Sequence, residues 1–276
     1  LYGFITGIRN FLFDKGILKS YSFELPVIVV GNLSVGGTGK TPQIEYLIRL
    51  LSERYSIATL SRGYKRKSDG FILANANATA ATLGDEPFQF FQKFPSIQVA
   101  VDADRKNGIE QLLAQEIKPQ VILLDDAFQH RKVKAGFYIL LTAYDDLFVE
   151  DYILPTGNLR ESRSGAQRAD VIVVTKCPKT ISKEEQSRIK QSINAYSNAP
   201  VFFSTIAFDD QVHSNAKSIQ VSEIQQFACV LVAGIAKPDS FFDYLKNDQS
   251  VCLTYPDHHH FTESDILHIQ QQAVEK

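Results

Sequence analysis

The stretch with the most chemical content is 27–51, VIVVGNLSVGGTGKTPQIEYLIRLL. A β-branched run leads into a glycine-rich turn, and the turn opens an amphipathic helix. Gly36, Gly37 and Gly39 let the backbone bend sharply and turn successive N–H groups toward one point. Residues Ser34, Val35, Gly36, Gly37, Thr38 and Gly39 then form a cradle for a polyphosphate at a helix N-terminus. Lys40 is placed to reach the β- and γ-phosphates, and the Thr41 hydroxyl to ligate Mg2+. One departure from G-x-x-x-x-G-K-[ST] is visible: its first glycine is Ser34 here.

Carboxylates follow at two further points. The apolar run 121–124 ends in Asp125-Asp126-Ala127-Phe128-Gln129-His130. Acids at the carboxyl end of a buried parallel strand project into the crevice where open α/β sheets bind ligands. Asp125 is the first candidate for the metal and Asp126 the second; the alternative, that one of them caps the following turn, is compatible with this. Gly84-Asp85-Glu86-Pro87 opens an aromatic helix, and on the residues alone Asp85 reads as its N-cap.

Cations and histidines cluster as well. Arg62, Lys65 and Arg66 lie in a loop after the second strand, suited either to an anionic substrate or to plain solvation. Arg160, in LPTGNLRE, is placed to balance charge on a transferred phosphoryl group. Thr175-Lys176-Cys177-Pro178 is similar to a guanine-reading loop but has Pro178 where the base-reading aspartate belongs, so adenine is the default. In Asp257-His258-His259-His260-Phe261 three consecutive histidines cannot all point one way, which disfavours a three-histidine metal site. One of them orienting a carboxylate is the better reading. His213 and His268 are assigned no role.

The elements that must position these residues alternate. Strands are expected at 27–30, 57–60, 97–101, 121–124, 138–141 and 171–175, with helices at 42–51, 86–94, 105–116 and 183–196. Continuous β-branched strands between helices imply a P-loop NTPase-like α/β fold, a mainly parallel sheet covered by helices. After a strand at 201–208 and a polar stretch at 210–217, a shorter α/β set follows: 230–233, helix 239–246, 250–255 and helix 263–274. A boundary near 205 divides a core, 1–205, from a smaller domain, 206–276. At the start, Leu1, Phe4, Ile5, Ile8, Phe11 and Leu12 recur at helical spacing, giving a helix that lies on a membrane or docks on the core.

Composition narrows the class. The 276 residues carry 29 Lys+Arg against 31 Asp+Glu, which argues against a nucleic-acid binder. Hydrophobic content of 44% excludes wholesale disorder. Three scattered cysteines make neither a disulfide framework nor a zinc ribbon and favour a reducing compartment. No run of apolar residues is long enough to span a bilayer.

In order along the chain, GNLSVGGTGKTP, LSRGYKR, LGDEP, LLDDAFQH, LPTGNLRE, GIAKPDSFF and DHHHF resemble the tetraacyldisaccharide 4′-kinase family, from residue 26 to 261. The resemblance implies ATP- and Mg2+-dependent phosphorylation of the 4′-hydroxyl of a tetraacylated glucosamine disaccharide 1-phosphate, in lipid A assembly of Gram-negative bacteria. It implies a peripheral protein at the cytoplasmic face of the inner membrane, held partly by its N-terminal helix. Asp85 then matches the catalytic base, His258 its partner, Asp125 and Asp126 the metal pair, and Arg160 the arginine of the LRE motif. Arg62, Lys65, Arg66, Glu86 and His130 fall on the substrate side, and Asp85 is expected to meet His258 when the crevice closes. The family's usual length and the lack of any methionine lead us to expect further residues at both ends. A monomer is favoured. The rival readings are a P-loop ATPase switch acting on a protein partner and a soluble metabolite kinase.

Overall fold

The computed structural model describes residues 2–214, 217–235, 237–257 and 259–274. It divides into two compact units, Leu1–Ile206 and Ala207–Lys276. In the first, eight strands form one sheet: β1 (Val27–Asn32), β2 (Ile57–Ser61), β3 (Ile72–Leu73), β4 (Gln98–Val101), β5 (Val121–Asp125), β6 (Phe137–Ala143), β7 (Val171–Thr175) and β8 (Val201–Phe203). Their order is β3-β4-β2-β5-β1-β6-β7-β8, parallel throughout except for the antiparallel edge strand β3. That two-residue strand is too short for periodicity to reveal it. β8 ends at Phe203, short of the expected 208, because it is the opposite edge and pairs only with β7.

The helices of this unit are α1 (Tyr2–Asp14), α2 (Lys40–Leu51), α3 (Ala80–Leu83), α4 (Asp85–Lys93), α5 (Arg105–Leu113) and α6 (Lys183–Asn194). Alternate residues of each strand feed opposite layers. Val29, Leu124, Leu140 and Ile172 pack with Ile109 and Leu112 of α5 and Ile189 and Ile193 of α6. Val30, Leu123, Leu141 and Val173 pack with Ile44 and Ile48 of α2 and Phe90 of α4. Both faces are therefore covered, which is why the strands read as unbroken apolar runs.

This arrangement puts the carboxyl ends of β1 and β5 side by side, Val30 pairing with Asp125. Between β1 and the turn after β5 the approach is close: a Cβ on Gly31 would lie 2.7 Å from Phe128 Cβ and 3.0 Å from the Phe128 backbone nitrogen. Only glycine lets the 125–130 turn fold down over the start of the glycine-rich loop.

α1 is mounted inside out relative to the expected docked helix. None of its residues is buried, and Phe4 and Ile5 are 69% and 57% exposed. Its polar side chains face the unit instead. Arg9 Nη2 donates to Gln129 O (2.7 Å), Asn10 Nδ2 donates to Glu161 Oε2 (2.8 Å), and Arg131 pairs with Asp14 (2.6 Å). These charged and amide groups find partners only on that side, so the apolar stripe is left facing solvent.

The second unit holds an antiparallel pair, β9 (Gln211–His213) and β10 (Ser218–Gln220), and a parallel pair, β11 (Val230–Ala233) and β12 (Val251–Thr254). With α7 (Val221–Ile224), α8 (Asp239–Leu245) and α9 (Glu263–Val274) it encloses a small core of Val221, Leu231, Ala233, Phe242 and Leu245. The β9–β10 pair falls where a polar loop was expected, since three-residue exposed strands carry no apolar alternation.

Gly31→Ala should lower the stability of the chain by about 1–3 kcal/mol, the usual range for overpacking a filled site. An unchanged denaturation midpoint in urea would contradict this close-packed junction.

Candidate phosphoryl-transfer site

The glycine-rich loop leaves β1 and returns as α2, and its shape is set by what holds its carbonyls. Gly39, at φ +86°, occupies the N-cap position in the left-handed region, which a side chain would strain. Thr175 Oγ1, at the end of β7, donates to Thr38 O (2.8 Å), and Lys176 Nζ donates to Gly37 O (2.5 Å). On the other side residues 158–160 run beside the loop. Ser34 bridges to Leu159, Val35 N donates to Asn158 O (2.8 Å), and Arg160 N donates to Leu33 O (2.7 Å). Of the peptides held in this way, Val35 N and Thr38 N are taken up by Asn158 O and Gly36 O, which leaves the N–H groups opposite Leu33 O and Thr38 O, those of Ser34 and Gly39, for the mouth of the loop.

Lys40, the first residue of α2, lies 3.6 Å from Asp126. Arg160 spans the site. Its Nη1 lies 3.1 Å from both Asp126 oxygens, its Nη2 donates to Asn32 Oδ1 (2.9 Å) and its Nε to Ser34 O (3.2 Å). Burial would raise the Asp126 carboxyl, but Lys40 and Arg160 outweigh it and hold the group below its ordinary range. Asp126 also adopts φ +47°, the bend that turns the chain out of β5.

Asp125 behaves differently from its neighbour. It is 5% exposed and pushed up to about 7, first by burial and then by Glu86 and Asp126, against the pull of Lys40 and Arg105. Its Oδ2 is 3.5 Å from Ser61 Oγ, while its Oδ1 meets no protein group. Arg105 Nε and His130 Nε2 are likewise buried without a protein partner. Orphaned polar atoms are rare in a folded interior and point to something they serve. The set fits Mg2+ with a nucleotide: the ion takes one or two carboxylates and draws its remaining oxygens from phosphates and water. Thr41 on the first turn of α2, Asp125 and Asp126 are the residues that would hold it. Among the described residues no three His, Cys, Asp or Glu side chains converge as a self-sufficient metal cage.

The remaining sequence-derived candidates separate. Asp85 is the exposed first residue of α4, and the cap position belongs to Gly84, so the capping alternative is not what the structure has. Glu86 faces the crevice closely enough to raise Asp125. Arg62 is exposed and acts on Arg105, and Lys65 packs over the Tyr64 ring. Arg66, expected to hold an anion, instead donates to Gly70 O (2.6 Å) and Val101 O (3.4 Å) and so braces its own loop. His130 is pushed down to about 4, by burial and then by Arg105, and is neutral at pH 7. His258 lies outside the described residues. His259 is committed elsewhere, stacked on Tyr255 with Nε2 3.0 Å from Asp265.

Three participants escaped the sequence reading. Arg105 is buried, lowered to about 10 chiefly by that burial, and donates to Asp102 O (2.9 Å). Glu161, next to Arg160 in LPTGNLRE, accepts from Asn10, Gln129 and Arg168. The Thr175-Lys176 pair was weighed only for base recognition, whereas its side chains hold the loop. A signal did exist for Glu161, a carboxylate inside a motif already singled out. Arg105 had none, because a helix-starting arginine reads as solvated.

In metal-free buffer Asp125 should destabilise the chain as pH rises. Below its ordinary value of 3.8 both states carry the proton; between 3.8 and about 7 only the folded state does, so stability falls across that window. Asp125→Asn should therefore gain thermal stability over the parent as pH increases from 4 toward 8, with no gain at pH 4. A constant difference across the range would contradict the assignment.

Known proteins bear on this geometry. The family model "Tetraacyldisaccharide-1-P 4'-kinase" matches residues 1–276. Tetraacyldisaccharide 4'-kinase of Flavobacterium johnsoniae is 66% identical over 273 residues, covering 99% of this chain and 80% of that protein. The enzyme of the same name from Bacteroides thetaiotaomicron is 46% identical, covering 99% and 75%. A crystal structure of LpxK from Aquifex aeolicus in complex with ATP superposes with a TM-score of 0.78 at 32% identity, covering 95% of this chain and 81% of that one. The chain belongs to the tetraacyldisaccharide-1-P 4'-kinase family.

Proposed function

We propose that this chain transfers the γ-phosphoryl group of ATP to the 4′-hydroxyl of a tetraacylated disaccharide 1-phosphate, working from the surface of the inner membrane on its cytoplasmic side. The observation that carries the reading is the braced loop with Lys40, Arg160 and Asp126 gathered at its mouth. Phosphoryl transfer demands positioning and charge balance more than covalent chemistry. The loop amides hold the phosphate chain, while Lys40 and Arg160 face the charge that spreads over the transferring group. Thr41, Asp125 and Asp126 would hold Mg2+, which would supply neutralisation of the phosphate oxygens.

The acceptor alcohol is a poor nucleophile at neutral pH, so its proton needs a base within hydrogen-bond reach. Asp85 fills that role: it is exposed at the first turn of α4. As the hydroxyl oxygen bonds to the γ-phosphorus, the bond from that phosphorus to the β–γ bridging oxygen breaks, ADP leaves, and the hydroxyl proton passes to an Asp85 carboxylate oxygen. Glu86, Arg62, Lys65 and neutral His130 line the acceptor side.

The outward apolar face of α1 supports work at a lipid surface. Phe4, Ile5, Ile8 and Phe11 present a continuous stripe to solvent, while the helix is fastened from behind by polar bonds. A helix mounted this way lies in the bilayer interface rather than across it. Among the described residues no helix is long and apolar enough to cross a membrane.

The test is transfer of labelled γ-phosphate from ATP to the acylated disaccharide in detergent micelles. Asp85→Ala should lower kcat by about 10²–10⁴-fold, the range for loss of a general base, with little change in KM for ATP. Lys40→Ala should impair both. Release of free phosphate without labelled lipid would overturn the kinase reading in favour of a switch, and full activity in Asp85→Ala would overturn the base.

A further inference from the structure

Where α1 ends, a groove of about 690 Å³ runs between residues 13–21 and 128–138, with His130 in its wall. Its floor is aromatic and aliphatic, with Phe13, Leu18, Tyr21 and Tyr138, and its sides carry Lys19 and Lys134. The groove is held in shape by main-chain bonds. Tyr21 N donates to Lys132 O (2.9 Å), Lys134 N donates to Tyr21 O (2.8 Å), and Tyr21 bridges to Val133. That pairing brings the two lysines to one groove from segments more than a hundred residues apart.

The charge of this face departs from that of the chain. Over 9–21 and 129–134 stand Arg9, Lys15, Lys19, Arg131, Lys132 and Lys134 against the single carboxylate of Asp14, in a chain whose net charge is −2. Arg131 is neutralised by Asp14 and Lys132 by Asp104. Lys19 and Lys134 are exposed and make no ion pair among the described residues. Ile17, between the lining residues Gly16 and Leu18, is 65% exposed, and Phe11 of the outward α1 stripe lies six residues before it. Two uncompensated ammonium groups beside exposed apolar side chains match an anionic head on an acyl body. A free anion would use the lysines and leave the greasy floor wet.

We infer that this groove binds the phosphate headgroup of an anionic membrane phospholipid that is not the substrate, Lys19 and Lys134 holding the phosphate and the aromatic floor taking the first methylenes. The inference rests on the reading that α1 lies on a bilayer. It adds that the bilayer is recognised by charge at a defined place beyond the apolar stripe.

Co-sedimentation of the chain with vesicles of phosphatidylcholine alone, or mixed with phosphatidylglycerol, tests it. Each basic group near an anionic leaflet contributes about fivefold in partitioning, so Lys19→Gln/Lys134→Gln should lose about twentyfold on the mixed vesicles. The double variant should keep the parent's binding to phosphatidylcholine, its melting temperature, and its KM for the lipid substrate in neutral detergent. Either single variant should lose about fivefold, which keeps the test open if the double variant folds poorly. Equal partitioning of the parent onto both vesicles, or an undiminished preference in the variants, overturns the inference while leaving the membrane reading intact. Failure to bind either vesicle overturns both. Displacement by soluble glycerol phosphate would make the groove a free-phosphate site, and a raised KM in neutral detergent would give it to the substrate; either result overturns the assignment.

Discussion

The site depends on the grip that neighbouring segments keep on the outward carbonyls of the loop between β1 and α2. A peptide's C=O and N–H point in opposite directions, so fixing one fixes the other. Thr175 and Lys176 hold Thr38 and Gly37 from one side, and Arg160, through its main-chain N–H and its guanidinium, holds Leu33 and Ser34 from the other. A glycine-rich loop left alone loses much conformational freedom when it closes on an anion. Here part of that ordering is done by the fold, before the phosphate chain arrives.

Charge is the second constraint, and it follows from the first. The braces bring Arg160 over Asp126, and the β1–β5 pairing brings Asp125 beneath the same mouth. Two adjacent aspartates then diverge. Asp126 faces Lys40 and Arg160 and stays ionised, whereas Asp125, buried beside Glu86 and Asp126, holds its proton until pH nears 7. Asp126 balances the cations in advance and offsets the repulsion between Lys40 and Arg160. An incoming polyphosphate exchanges one set of ionic partners for another instead of filling an unshielded positive pocket.

Much of this was legible in the residues, and the reason is locality. The loop and its helix are contiguous, so glycine spacing and a β-branched run suffice to identify them. The Asp125-Asp126 pair announces itself at the end of a strand. What the sequence hid is long-range. Nothing near Lys176 tells that its side chain reaches back to Gly37, and Arg105 looks like any residue of a helical first turn until β5 packs beside it. Arg66 misled because a run of cations looks the same whether it faces a ligand or its own loop carbonyls. The apolar period of α1 was plain, but periodicity gives a stripe without saying which way it points. Its direction was fixed by Arg9 and Asn10 finding Gln129 and Glu161 more than a hundred residues away.

The account stands most directly on whether the loop is shaped before ATP arrives. Titration calorimetry of ATP with Mg2+ against Thr175→Val/Lys176→Ala, beside the parent, measures this. Two lost bonds at roughly 1 kcal/mol each predict an affinity weaker by about thirtyfold with the melting temperature little changed. An affinity equal to the parent's would mean the loop holds its own form or is moulded by the nucleotide, and would contradict the braced cradle.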